Sequence, residues 1–249
     1  MSTNTHRIKL VVAYDGTDFC GWAAQPGQRT VQGTLTEAVR RATGEESELF
    51  GASRTDSGAH AAGQVAHFDC AVPLPVTKWP GVLNRLLPLD LRVVAAEGVD
   101  AAFHSRFSAR YRHYRYTVMR DDTDPFQGRY AYVYFKKLNL SAMRLAAERL
   151  VGEHDFEAFT EELAPEVENT VRELYRVEVD QSGDETRIDV EGTAFMRGMM
   201  RRLSGFLVEV GRGHRPAEDA SVLLGPKREC VQWPVVLPAR GLCLRKVVY

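Results

Sequence analysis

At 249 residues the chain can form one large domain or two small ones and bury roughly 70 to 75% of its unfolded surface, so no disulfide or metal staple is required. With 44% hydrophobic and 26% charged residues its composition is that of an ordinary globular protein, which excludes collagen-like, disordered and membrane-spanning classes; no apolar run approaches membrane length. Basic and acidic side chains number 32 and 33, and a net charge of −1 does not by itself point to a polyanionic partner.

In chain order, Ile8, Leu10, Val12 and Tyr14 alternate as a half-buried strand requires. The apolar patch Leu10–Tyr14 is too brief for a signal-peptide core, so an unexported, cytoplasmic protein is expected. Val31, Leu35, Ala38, Val39 and Ala42 fall on one helical face, with Thr30 as N-cap and Gly44 as stop. Short strands are predicted at Glu48–Phe50 and Gln64–Phe68, a helix at Trp79–Leu87 and a strand at Leu91–Val99, in the order β-α-β-β-α-β. Tyr111–Val118 reads as a bridging strand, with Arg112, Tyr114, Tyr116 and Val118 on one face and Tyr111, His113, Arg115 and Thr117 on the other.

The second half repeats the order without repeating the sequence. A strand is predicted at Tyr130–Phe135, a helix capped by Ser141 through Val151, strands at Val171–Val179 and Thr186–Val190, a helix from Phe195 and a last strand at Leu242–Tyr249. The fold class expected is α+β, two ferredoxin-like halves joined through an antiparallel sheet with helices on one side. The turn from Asp121 to Pro125 sets the expected division: residues 1–120 with the Asp56 loop, residues 121–249 with the basic helix, and a cleft between them.

Charge is unevenly distributed. His104–Arg120 carries five arginines (106, 110, 112, 115 and 120) and no acid, interleaved with Tyr111, Tyr114 and Tyr116. Arg197–Arg215 carries five more (197, 201, 202, 212 and 215) against Glu209 alone, whereas Glu153–Glu191 holds fourteen acids against three arginines. Two basic segments and one acidic one suit a protein that meets phosphates on one face, although charge runs also mark plain solvated surface. Cys20, Cys70, Cys230 and Cys243 lack C-x-x-C spacing and read as reduced thiols. His60, His67 and His104 lack metal-ligand spacing and read as hydrogen-bonding residues. Met196, Met199, Leu203, Phe206, Leu207 and Val210 read as the packed face of the late helix, presenting Arg201.

The loop Gly51-Ala-Ser-Arg-Thr-Asp-Ser-Gly-Ala-His60 is too rich in small residues to be core. Arg54 and Asp56 flank Thr55, and Gly58 is free to take a positive φ, so a carboxylate can be presented beside a guanidinium. An Asx-turn closed by Asp56 is the plainer reading. Asp56-Ser57-Gly58 also matches an aspartic-protease triplet, which needs a second carboxylate sharing a proton; the chain holds no second copy and a homodimer could supply one, but Arg54 and Thr55 stand where apolar residues are customary and would hold the carboxylate charged. An RNA-binding module without catalysis would suit the aromatic, basic strands, although the RNP1 pattern is absent.

Taken together the segments resemble the tRNA pseudouridine synthase A family. The resemblance runs through Tyr14-Asp-Gly-Thr-Asp-Phe-Cys-Gly-Trp22, Thr30-Val-Gln-Gly33, Ser53-Arg-Thr-Asp-Ser-Gly-Ala-His-Ala61, Gly63-Gln-Val-Ala-His-Phe68 and Phe103-His-Ser-Arg-Phe-Ser-Ala109. It continues through Arg112-His-Tyr-Arg-Tyr116, Gly152-Glu-His-Asp-Phe156, Thr170-Val-Arg172, Gly192-Thr-Ala-Phe-Met-Arg-Gly-Met-Met-Arg201 and Pro238-Ala-Arg-Gly-Leu242. Ser53 and Ala59 stand where the family pattern has glycine and valine.

The resemblance implies a homodimeric enzyme that isomerises uridine to pseudouridine in the anticodon arm of tRNA, at positions 38 to 40, with no cofactor, metal or membrane. It implies Asp56 as the nucleophile, Arg201 as the cation paired with it, Arg54 as the residue that helps hold the everted nucleotide, and Tyr114 as the ring stacked on the target base. Arg106, Arg110, Arg112, Arg115, Arg197 and Arg202 are then candidate phosphate contacts.

Overall fold

A computed structural model describes residues 5–121, 124–160, 169–226 and 228–249. Residues 122–123 of the expected junction turn, and 161–168 of the acidic segment, lie outside the described residues. In chain order the elements are β1 (His6–Tyr14), α1 (Val31–Thr43), β2 (Phe50–Gly51), β3 (His60–Cys70), α2 (Trp79–Leu86), β4 (Leu91–Val99), β5 (Tyr111–Met119), α3 (Pro125–Gly128) and β6 (Tyr132–Val133). They continue as α4 (Leu140–Glu148), β7 (Gly152–Asp155), β8 (Val171–Ser182), β9 (Glu185–Gly192), α5 (Met199–Gly211), α6 (Asp219–Leu223) and β10 (Leu242–Val248). No described helix is long and apolar enough to cross a membrane.

The chain divides into two compact units: residues 1–110 with 244–249, and residues 111–243. In the first, strands run in the order β4-β1-β3-β10, with β2 beside β3. β1 is antiparallel to both β3 and β4, so Ile8 faces Phe68 on one side and Gly98 on the other. The alternation read from sequence becomes burial: Ile8, Leu10, Val12 and Tyr14 are at most 5% exposed. Helix α1 starts where its cap dictates, the Thr30 hydroxyl accepting the Gly33 N–H at 3.2 Å, and stops where Gly44 turns left-handed at φ 75°. It buries Val31, Leu35, Ala38 and Val39, while α2 buries Trp79 edge-on to Phe68 at 5.2 Å.

The second unit has strand order β5-β9-β8-β7, with the two-residue β6 parallel to β5. Its core is Tyr116, Ile188, Val190, Met143, Phe156 and Phe159 together with the inner face of α5, where Leu203, Phe206 and Leu207 are fully buried. Burial holds the Tyr116 phenol protonated far above its ordinary range, and it donates to the Pro238 carbonyl at 2.7 Å.

Local departures from the sequence reading have identifiable causes. Tyr111–Met119 stands first in its unit's strand order, paired along its length with β9, and takes the opening position expected of Tyr130–Phe135; the latter contributes only Tyr132–Val133 to the sheet. Asn139, not Ser141, caps α4, its side chain accepting the Ala142 N–H at 3.1 Å. Helix α5 begins at Met199 rather than Phe195, because Gly198 at φ 69° breaks the helical path just before it. Glu48 and Leu49 stay outside the sheet, and β7 pairs as an edge strand with β8 without having been predicted.

Candidate functional site

Residues Ala52–Ala59 connect β2 to β3, and backbone groups of Ala52, Ser53, Thr55, Asp56, Gly58 and Ala59 are hydrogen-bonded. Ala52 N–H donates to the Val65 carbonyl at 2.8 Å. The Gln64 side chain grips Ser53 at both ends, donating to its carbonyl at 2.7 Å and accepting its N–H at 3.2 Å. Among the described residues no residue other than glycine has a positive φ, so Ser53 in place of the family glycine costs no backbone strain. Gly58 does take the left-handed conformation, at φ 80°.

The segment Asp15–Trp22 forms the bed of this loop. Trp22 N–H donates to the Thr55 carbonyl at 3.1 Å, and Phe19 O accepts from both the Ser57 hydroxyl and Gly58 N–H at 3.3 Å. Gly16 passes so close that a Cβ there would lie 1.9 Å from the Ala59 carbonyl oxygen, and its N–H donates to His60 Nδ1 at 3.0 Å. A Cβ on Gly21, itself at φ 82°, would lie 2.8 Å from the Thr55 oxygen. Two glycines are therefore required by close approach of backbone to backbone.

Within this frame Thr55 points in and its neighbours point out. Thr55 is 7% exposed, and its hydroxyl shares a 2.7 Å hydrogen bond with the buried Tyr14 hydroxyl. Arg54 is exposed and, among the described residues, has no hydrogen-bonding or ion-pair partner; Asp56 is half-buried, and its carbonyl accepts the Ala59 N–H at 3.1 Å. The loop can therefore present a carboxylate on a backbone with little freedom, next to a guanidinium open to an anion. Tyr14, Thr55, Trp22 and Gln64 stand inside the motifs that carry the resemblance but receive no place in the site from it, because a motif in one segment does not say what it packs against.

The other sequence-derived candidates are placed as follows. Arg106 and Arg110 of the first unit are exposed, as is Arg197 of the second. Tyr114 is 4% exposed and meets Phe195 edge-on at 5.0 Å. Arg112 shares its buried face of β5 and donates to the Thr193 carbonyl at 2.6 Å. On the opposite face Arg115 and His113 both hold Asp189; burial raises that carboxyl, but their hydrogen bonds outweigh it and leave it below the usual range. Arg201, half-buried in the first turn of α5, donates from Nε to the Leu237 carbonyl at 2.7 Å, and Arg202 donates to Pro234 O at 2.6 Å.

No described group of three His, Cys, Asp or Glu residues is placed to hold a metal ion. The histidines have other work. His67, 1% exposed, accepts the Ser105 N–H at Nδ1 at 3.2 Å, while Ser105 Oγ donates to Phe50 O at 2.9 Å. Burial first, then His104 and Arg7, push His67 down to about 4. A histidine kept neutral in the fold but free to protonate when unfolded at about 6.5 stabilises fully above that pH and loses its contribution as pH falls toward 4. Urea unfolding at pH 7 and at pH 4.5 is expected to differ through this residue by on the order of 2–3 kcal/mol. His67→Gln should flatten that part of the pH dependence; an unchanged slope would assign it elsewhere.

Comparison with known proteins finds relatives over nearly the whole chain. A family profile described as tRNA pseudouridine synthase matches residues 10–108 and 146–249. A tRNA pseudouridine synthase A from Brevibacillus brevis is 44% identical over 245 residues, covering 98% of this chain and 99% of the relative. One from Citrifermentans bemidjiense is 41% identical, with 97% of each chain covered. The solved archaeal box H/ACA sRNP Nop10-Cbf5 complex aligns over 81% of this chain and 43% of that one at 13% identity, with a TM-score of 0.34, too low to bear on the argument.

Proposed function

The chain belongs to the tRNA pseudouridine synthase family and isomerises uridine in tRNA, and from that premise we propose that it acts in the anticodon arm, at positions 38 to 40, with Asp56 as nucleophile. The observation that carries the reading is the Asp56 loop: a half-buried carboxylate on a backbone fastened at Ala52, Ser53, Thr55, Ser57, Gly58 and Ala59, with Arg54 exposed beside it. Covalent catalysis by a carboxylate needs exactness of approach more than acid–base versatility, and a pinned backbone supplies it. In the reaction Asp56 attacks the target nucleotide, the bond from N1 to the ribose breaks, the uracil turns, C5 bonds to the ribose, and the C5 proton leaves as the enzyme is released.

A target base inside a stem-loop has to be everted before a side chain can reach it. Arg54 is proposed to hold the everted nucleotide, and Arg106, Arg110 and Arg197, being exposed, to meet backbone phosphates. The roles of Tyr114 on the base and Arg201 as cation to the nucleophile rest on the family resemblance, as do a cytoplasmic homodimer and a reaction without cofactor. The test is pseudouridine mapping in tRNA from cells with and without this protein. Loss confined to positions 38 to 40 is expected; an unchanged anticodon arm with loss elsewhere would overturn the site assignment while leaving the isomerase standing.

A further inference from the structure

We infer that Tyr14 is a positioning residue for the isomerisation, acting through the Thr55 hydroxyl to hold Asp56 in its attacking place; this rests on the reading of Asp56 as nucleophile. Three constraints converge on Thr55, the residue immediately before the carboxylate. Its hydroxyl is bonded to Tyr14 at 2.7 Å, its carbonyl accepts the Trp22 N–H at 3.1 Å, and Gly21 lies so close that a Cβ would touch its oxygen at 2.8 Å and the Asp56 carbonyl carbon at 3.3 Å. On the far side of Asp56 the chain is held by Ser57 and Gly58 on Phe19 O.

Of these ties, the Tyr14–Thr55 bond is the one made by two side chains, and both are buried, at 5% and 7% exposure. Tyr14 is a rigid anchor. It ends β1 opposite Ala61 of β3 and Leu91 of β4, and its ring packs near Phe19 and Trp22 at 6.4 and 6.3 Å. The bond therefore runs from the centre of a sheet to the loop beside the nucleophile. Both hydroxyls are buried, so their bond holds the Thr55 side chain inward, while Arg54 before it is exposed and Asp56 after it is half-buried. Displacing a reacting group by about 1 Å can cost roughly a hundredfold in rate.

The experiment compares wild type, Tyr14→Phe, Thr55→Val, Thr55→Ser, the Tyr14→Phe/Thr55→Val double variant and Asp56→Ala. The readouts are tritium release from tRNA carrying 5-labelled uridine, KM for tRNA, and thermal unfolding. Tyr14→Phe keeps the ring and is expected to lower kcat about tenfold; Thr55→Val should lower it by up to about a hundredfold, each with KM changed by less than about twofold. Thr55→Ser keeps the hydroxyl and should restore kcat to within about threefold of wild type, and the loss in the double variant should fall well short of the product of the two single losses, since both changes remove the same bond. Wild-type kcat in Tyr14→Phe, a serine variant as slow as the valine one, or a rise in KM at constant kcat would each overturn the inference. If Thr55→Val fails to fold, Tyr14→Phe and Thr55→Ser decide. Full turnover by Asp56→Ala would instead sink the nucleophile assignment, whereas an inert Asp56→Ala beside a fully active Tyr14→Phe would sink the positioning role alone.

Discussion

Asp56→Ala is expected to release no detectable tritium from tRNA carrying 5-labelled uridine, a fall of at least about 10⁴-fold on the scale seen when an enzyme loses its nucleophile, while tRNA binding persists. The substitution removes the one group proposed to bond to the nucleotide. The backbone ties on either side, Trp22 to Thr55 and Phe19 to Ser57 and Gly58, do not involve the Asp56 side chain, and neither does the turn bond from Ala59 N–H to the Asp56 carbonyl. Binding is proposed to be carried by arginines whose counterion release is indifferent to one carboxylate. Filter binding at matched salt, beside the release assay, separates the two effects. Turnover within tenfold of wild type would show that another residue forms the covalent bond.

Arg201→Met should also stop turnover, by at least about a hundredfold, with the fold retained. By the resemblance its guanidinium is the cation paired with the nucleophile, and a carboxylate in a water-poor site depends on such a charge to stay ionised. Methionine preserves the unbranched stem that packs in the first turn of α5 but carries neither charge nor donor. Arg201 Nε donates to the Leu237 carbonyl at 2.7 Å, and each such partly buried bond lost costs roughly 1–3 kcal/mol, so thermal unfolding is measured beside turnover. Lysine makes the informative control, because it restores charge without the planar fork of donors. Near-normal turnover in the methionine variant, with unfolding unchanged, would refute the pairing.

Much of each unit could be read along the chain because its determinants are local. Thr30 and Gly44 bracket α1 through bonds reaching three or four residues, and the alternation in Ile8–Tyr14 and Arg112–Val118 maps directly onto buried faces. Errors arose where two local solutions had similar merit. Asn139 and Ser141 are both good caps, and propensity cannot rank them when the choice depends on how α4 packs. The apolar spacing of Met196 and Met199 runs on across Gly198, so periodicity alone carried the helix start four residues too far back. β7 is a four-residue edge strand whose only reason to be extended is β8 beside it.

By itself the sequence determined the α+β class, the order of the first six elements, the candidate loop around Asp56 and, through motifs spread over nearly the whole chain, the family. Only the tertiary structure decided how that loop is held. Tyr14 lies 41 residues from Thr55, and Gln64 reaches back 11 residues to grip Ser53; neither interaction has a period or a spacing to announce it. The first exists because antiparallel pairing of β1 with β3 brings the end of one strand to the start of the other, the second because β2 pairs with β3, and that proximity is a property of the folded sheet rather than of any one segment.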